Sequence, residues 1–167
     1  SVSPTIQNSI FENSFTYGLW LKNSTSTVQN NSIRNVSGAT LTMPLGIYIQ
    51  GGSPYILGNT ISQNMNGLNI DANSVADISS NTFSNNSLYA ILVSSAYPLF
   101  SQNSATGNSL NGVVISDVLA RDMSFSDNLP YIIPAGGTLT VNSGSTLTLN
   151  PGAIVKFQNT SSFLNPH

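Results

Sequence analysis

The chain has 167 residues, a net charge of −2 and no cysteine, with 40% hydrophobic but only 6% charged residues. That length gives one domain with a sizeable core, while the missing cysteine removes disulfides, thiolate chemistry and Cys-ligated zinc. Four Lys and Arg residues leave no basic stripe for a phosphate backbone, which argues against nucleic acid. No run approaches the roughly 18 apolar residues of a membrane span, and no signal-like segment occurs.

Taken in chain order, the sequence repeats. Ile6, Val28, Ile56, Ile78 and Phe100 form one apolar column, spaced 22, 28, 22 and 22 residues apart. Three residues after each come Ser9, Asn31, Asn59, Asn81 and Asn103, and five after each come Phe11, Ile33, Ile61, Phe83 and Ala105. Small residues follow at Gly18, Gly46, Gly67, Ala90 and Gly112, each ahead of an apolar-x-apolar triplet. The triplets are Leu19-Trp20-Leu21, Ile47-Tyr48-Ile49, Leu68-Asn69-Ile70, Ile91-Leu92-Val93 and Val113-Val114-Ile115. The one long spacing has a local cause, a loop insertion at 38–44, from Gly38 to Pro44. A weaker sixth copy places Phe125 in the aromatic column and Asn128 below Asn108 and Asn86.

Within a copy the hydrophobic period is two, which predicts strands of about three to five residues. No Asn-Gly hairpin joins amphipathic partners inside a copy. Each strand must therefore pair with its counterpart one copy along, giving parallel sheets stacked at about 4.8 Å per coil. A β-sandwich offers no reason for a 22-residue register. The repeats are expected over 1–128 and a terminal β coil over 129–167.

The pattern I-x-x-N-x-[IF]-x-x-N-x-x-x-G-[IVL]-x-[IVL], carried by residues 4–128, resembles the right-handed β-helix repeats of pectin-lyase-like proteins and of NosD-type periplasmic and surface proteins. The resemblance implies an all-β chain, a right-handed parallel β-helix (β-solenoid) of about six to seven coils. The tail, with Thr138-Leu139-Thr140-Val141 and Ala153-Ile154-Val155-Lys156-Phe157, looks like the opening of a further β-helix. Function is not implied so sharply, because this fold hosts lyases, hydrolases, epimerases, adhesins and inert spikes. Polysaccharide lyases of the family set acidic calcium ligands against a basic residue, and related galacturonases use paired Asp groups with a Gly-His-Gly turn. Neither pattern occurs here.

Charged residues suited to acid–base or metal chemistry are few: Glu12, Asp71, Asp77, Asp117, Asp122, Asp127, Lys22, Arg34, Arg121, Lys156 and His167. Asp117, Arg121, Asp122 and Asp127 form the densest group, read as an ion pair across a turn, with a weak Ca²⁺ site as the alternative. We therefore expect no catalytic residues, no cofactor and no metal. The Asn31, Asn59, Asn81 and Asn103 column is expected to turn inward and stack as an amide ladder, the alternative being a row of surface turns. The middle residues of the triplets, Trp20, Tyr48, Asn69, Leu92 and Val114, are expected to point outward. An apolar strip on so weakly charged a chain reads as a contact surface, and Trp20 and Tyr48 suit stacking on a sugar ring. The alternative is coverage by the 38–44 loop.

Asn-x-Ser/Thr sequons occur at Asn23, Asn30, Asn35, Asn85 and Asn159, about as many as chance gives in so Asn-rich a chain, so they permit glycosylation without arguing for it. The chain opens at Ser1, and we read it as a segment whose upstream piece was removed or belongs to a longer polypeptide. Low charge, abundant Asn, Ser and Thr and no Cys together place it outside the cell or at the cell surface. The functional expectation is a non-catalytic structural or adhesive β-solenoid of a surface layer, fibre or large surface protein. The alternative is a carbohydrate-binding module or a fragment of a polysaccharide-degrading enzyme. Expected partners are a β-rich neighbour at each end, from the same polypeptide or a head-to-tail subunit, and polysaccharide.

Overall fold

A computed structural model describes residues 3–38, 43–126 and 128–164. The first turn consists of β1 (Thr5–Gln7), β2 (Ile10–Glu12) and β3 (Tyr17–Ser24). The second repeats it with β4 (Thr27–Gln29), β5 (Ser32–Arg34) and β6 (Leu45–Gly52). The third has β7 (Tyr55–Leu57), β8 (Thr60–Ser62) and β9 (Asn66–Asp71), and the fourth β10 (Asp77–Ser79), β11 (Thr82–Ser84) and β12 (Tyr89–Val93). The fifth has β13 (Leu99–Ser101), β14 (Ser104–Thr106) and β15 (Leu110–Ile115). Then come β16 (Val118–Leu119), β17 (Met123–Phe125) and β18 (Tyr131–Ile133). The last described strands are β19 (Thr138–Val141), β20 (Leu147–Leu149), β21 (Val155–Phe157) and β22 (Ser162–Leu164).

Every strand pairs in parallel with its counterpart one turn away, so the chain is an all-β parallel solenoid of about seven turns. The pairing follows the sequence columns residue by residue. Ile6 lies beside Val28, Val28 beside Ile56, and Ile78 between Ile56 and Phe100. Phe83 lies between Ile61 and Ala105. The inward residues of the middle turns, among them Val28, Ile33, Ile56, Ile61, Ile78 and Phe83, are fully buried in one continuous core. Burial of each such side chain contributes about 1.5–3 kcal/mol.

The small-residue column sits where one turn passes closest to the next. A Cβ added to Gly46 would come within 2.5 Å of the Gly67 carbonyl oxygen and 2.7 Å of Ile61 Cγ2. The loop insertion expected at 38–44 falls largely on residues 39–42, outside the described residues.

The sixth turn differs from the sequence expectation. Val113 pairs with Tyr131, only 18 residues on, so the turn is too short to continue all three sheets. The sheets headed by β1 and β2 stop at β13 and β14, whereas the seven-stranded sheet runs from β3 to β21. Phe125 therefore lies in a separate two-stranded sheet with β20, not beside Ala105. Its ring instead stacks on Tyr131 at 3.7 Å, with Phe100 edge-on to Tyr131 at 6.3 Å. Asn128 falls below Asn103, whose Nδ2 donates to Asn128 Oδ1 at 3.0 Å, rather than below Asn108. In the tail β18 pairs with β15 on one side and β21 on the other, so the seven-stranded sheet continues into it.

Candidate functional site

Asparagine builds the interior of the corners. Asn31, Asn59, Asn81 and Asn103 are buried, each amide bridging two turns. Asn59 Nδ2 donates to Asn81 Oδ1 at 3.0 Å, while the Asn59 backbone N–H donates to the same oxygen at 2.9 Å. Asn81 repeats both bonds onto Asn103, and its Nδ2 also reaches the Ile56 carbonyl at 2.7 Å. A second ladder, on the second Asn of the repeat pattern, joins Asn64, Asn86 and Asn108 in the same way and ends on Asn111. Its signal was a second Asn column, three residues after Ile61, Phe83 and Ala105. Saturated amides of this kind hold the backbone and leave no free group for chemistry.

The outer face of the seven-stranded sheet is where unlike side chains converge. Alternation along β3 from Leu19 and along β6 from Ile47 turns Trp20 and Lys22, then Tyr48 and Gln50, outward, and β9 adds Asn69 and Asp71. The Trp20 and Tyr48 rings stack at 6.1 Å and 18°, and Tyr17 leans against both, at 5.6 and 5.4 Å. Trp20 remains 51% exposed, and Lys22 Nζ stands 5.7 Å from its ring centre. Tyr48 donates its hydroxyl proton to Asp71 Oδ2 at 2.6 Å. That hydrogen bond, then burial, then the Asp71 charge, push the Tyr48 phenol up to about 12. Two buried acceptors beside it, Gln50 Oε1 and Asp71 Oδ1, lack a donor and belong to paired residues.

Further along this face the expected strip changes character. Asn69 and Leu92 are half-buried, and Val114 is only 1% exposed, so Val114 is not part of a contact surface. Leu92 and the buried Ile132 flank it one turn to either side. Val114 therefore drops out of the strip, whose most exposed member is Trp20, with Tyr17, Tyr48 and Leu92 half-buried.

The acidic residues are dispersed. Asp117 accepts from the Ser95 and Val118 backbone N–H groups, and Asp122 from the Thr146 N–H at 2.7 Å. Arg121 lies over the Tyr97 ring at 5.4 Å, and Glu12 pairs with Arg34 at 2.8 Å on the surface. Asp127 and His167 lie outside the described residues. Among the described residues no three His, Cys, Asp or Glu side chains gather as metal ligands, and no helix is long and apolar enough to cross a membrane. Of the sequons, Asn23, Asn30, Asn85 and Asn159 are exposed and Asn35 is half-buried.

A family described as a right handed beta helix region matches residues 1–150. The chain belongs to that family. Its members include enzymes of the pectate lyase type and proteins without catalytic activity. No curated protein and no solved structure matches the chain.

Proposed function

We propose that this right-handed β-helix is a non-catalytic structural and adhesive element working outside the cell or at its surface, and that its aromatic cluster holds a saccharide ring. The observation that carries the reading is the half-exposed Trp20, braced by Tyr17 and Tyr48 on a surface almost without charge. A pyranose presents a C–H face to such a ring and hydroxyls around its rim. Lys22 and Asn69 stand beside the rings to meet those hydroxyls. Rings held by neighbours lose little freedom on binding, which favours even a weak, repeated contact. The rest of the fold supplies rigidity through amide ladders, which suits a load-bearing or spacing role.

Affinity electrophoresis through gels containing neutral and acidic polysaccharides tests the reading. Retardation of the wild type that is lost in Trp20→Ala, with an unchanged melting temperature, is the expected result. Mobility indifferent to every polysaccharide, or retardation untouched by Trp20→Ala, removes the saccharide from the account.

A further inference from the structure

Two Asn-Gly pairs occur in the chain, Asn66-Gly67 in β9 and Asn111-Gly112 in β15. A glycine after asparagine leaves its backbone nitrogen with no Cβ to hinder approach to the side-chain carbonyl. The two pairs sit in opposite settings. Asn66 is 2% exposed and keeps regular register with β6, Leu45 lying beside Asn66 and Ile47 beside Leu68. Asn111 is exposed and lies in a β-bulge. Between the pairs Tyr89–Leu110 and Ile91–Val113, β12 has one residue and β15 has two, Asn111 and Gly112. A bulge leaves its extra residue out of the ladder and bends the strand.

Asn111 also ends the second asparagine ladder. Its Oδ1 accepts from the Asn108 backbone N–H at 2.9 Å and from Asn108 Nδ2 at 2.8 Å. Two donors fixed on one carbonyl oxygen are the arrangement that stabilises negative charge developing there. Asn59, Asn81, Asn86, Asn103 and Asn108 accept in the same manner. Each of those five is buried, however, and precedes a serine or threonine whose Cβ crowds the following nitrogen. At Gly112 a Cβ would collide with the Pro130 carbonyl oxygen, so packing keeps glycine in place.

We propose that Asn111-Gly112 is a self-modification site, where the fold promotes loss of the Asn111 side-chain amide. The Gly112 backbone nitrogen gives up its proton and bonds to Asn111 Cγ, while the Asn108 donors hold the charge on Oδ1. The bond from Cγ to Nδ2 then breaks, and ammonia leaves with that proton. Water opens the resulting succinimide at either carbonyl, giving aspartate or isoaspartate and one added negative charge. Aspartate keeps both Asn108 bonds and makes them charge-assisted, which firms the end of the ladder. Isoaspartate lengthens the backbone at a point that already departs from register. The inference stands apart from the saccharide reading, which uses β3 and β6.

Incubation of the full chain at mildly alkaline pH, folded and in parallel in guanidinium, tests it, with peptide mapping by mass spectrometry. In guanidinium the two Asn-Gly pairs should convert at similar rates, because only their sequence remains. In the folded chain Asn111 should convert several times faster than Asn66. Asn108→Ala removes one of the two donors and should slow Asn111 by roughly tenfold or more in the folded chain alone. Asn108→Ser takes its place should it fail to fold by circular dichroism. An Asn111 that keeps its amide in the folded chain while the denatured sample converts overturns the proposal. So do equal rates at Asn66 and Asn111 in the folded chain, or a folded Asn108 variant that converts as fast as the wild type.

Discussion

Asn30 and Asn31 are chain neighbours with opposite fates. Asn30 turns the backbone at φ 54° and faces solvent, whereas Asn31 is buried and joins the amide ladder. The same left-handed corner recurs one turn along at Gly58, then at Ser80 and Gln102, with φ of 65°, 56° and 54°. A second such column runs through Asn13, Asn35, Gln63, Asn85 and Gly107. Asparagine and glycine tolerate this conformation where other residues are strained. The two roles predict different costs. Asn81→Ala should destabilise by about 1–3 kcal/mol in denaturant unfolding, because it orphans the Asn59 amide and the Ile56 carbonyl. Asn85→Gly should stay within about 0.5 kcal/mol, since glycine already fills that corner at Gly107. Equal losses at both positions would contradict the division. The sequence made the ladder column legible through its spacing but hid the corners. Asn30, Asn35 and Asn85 read there as sequons, because composition does not reveal the sign of φ.

Among the elements, β3, β6 and β9 carry the outer-face cluster, and pairing alone brings its members together. Trp20 and Tyr48 were legible as outward residues, since period-two alternation fixes the face of a strand. Tyr17 was not, because alternation breaks at Gly18 within β3, and only the fold brings its ring against the other two. Val114 failed for a related reason: alternation gives direction but not depth, and aliphatic neighbours decide the depth. The bond between Tyr48 and Asp71 makes a testable demand. Because the Tyr48 phenol is raised to about 12, the folded chain keeps a proton there that the unfolded chain loses near pH 10. The bond's contribution is thus complete below about pH 10 and disappears as pH rises through 12. A phenolate absorbance titration should contain a late phase from Tyr48, and Asp71→Asn should bring that phase down. A titration identical in the two proteins would mean the bond does not form in solution.

At the scale of the whole molecule, each turn touches only its neighbours, so stability should vary along the axis rather than be shared evenly. The 22-residue period made this architecture legible from residues 4–128, but not the short sixth turn. There the spacing drops to 18 residues, and the Phe125–Tyr131 stack replaces two ladders. No periodicity search finds a contact between residues six positions apart that stands in for a missing strand. The energetic consequence is a gradient. The third and fourth turns bury Ile56, Ile61, Ile78 and Phe83 completely and hold both asparagine ladders. The first turn leaves Ile6 and Phe11 half-buried, and β20 to β22 leave Leu149, Phe157 and Phe163 exposed. Local opening follows the density of buried apolar contacts and shielded hydrogen bonds. Amide hydrogen exchange on dilute chain should therefore be slowest in β7, β8, β10 and β11, and fastest in β1, β2, β21 and β22. Uniform exchange would instead describe one cooperative block whose outer strands are as firmly held as its centre.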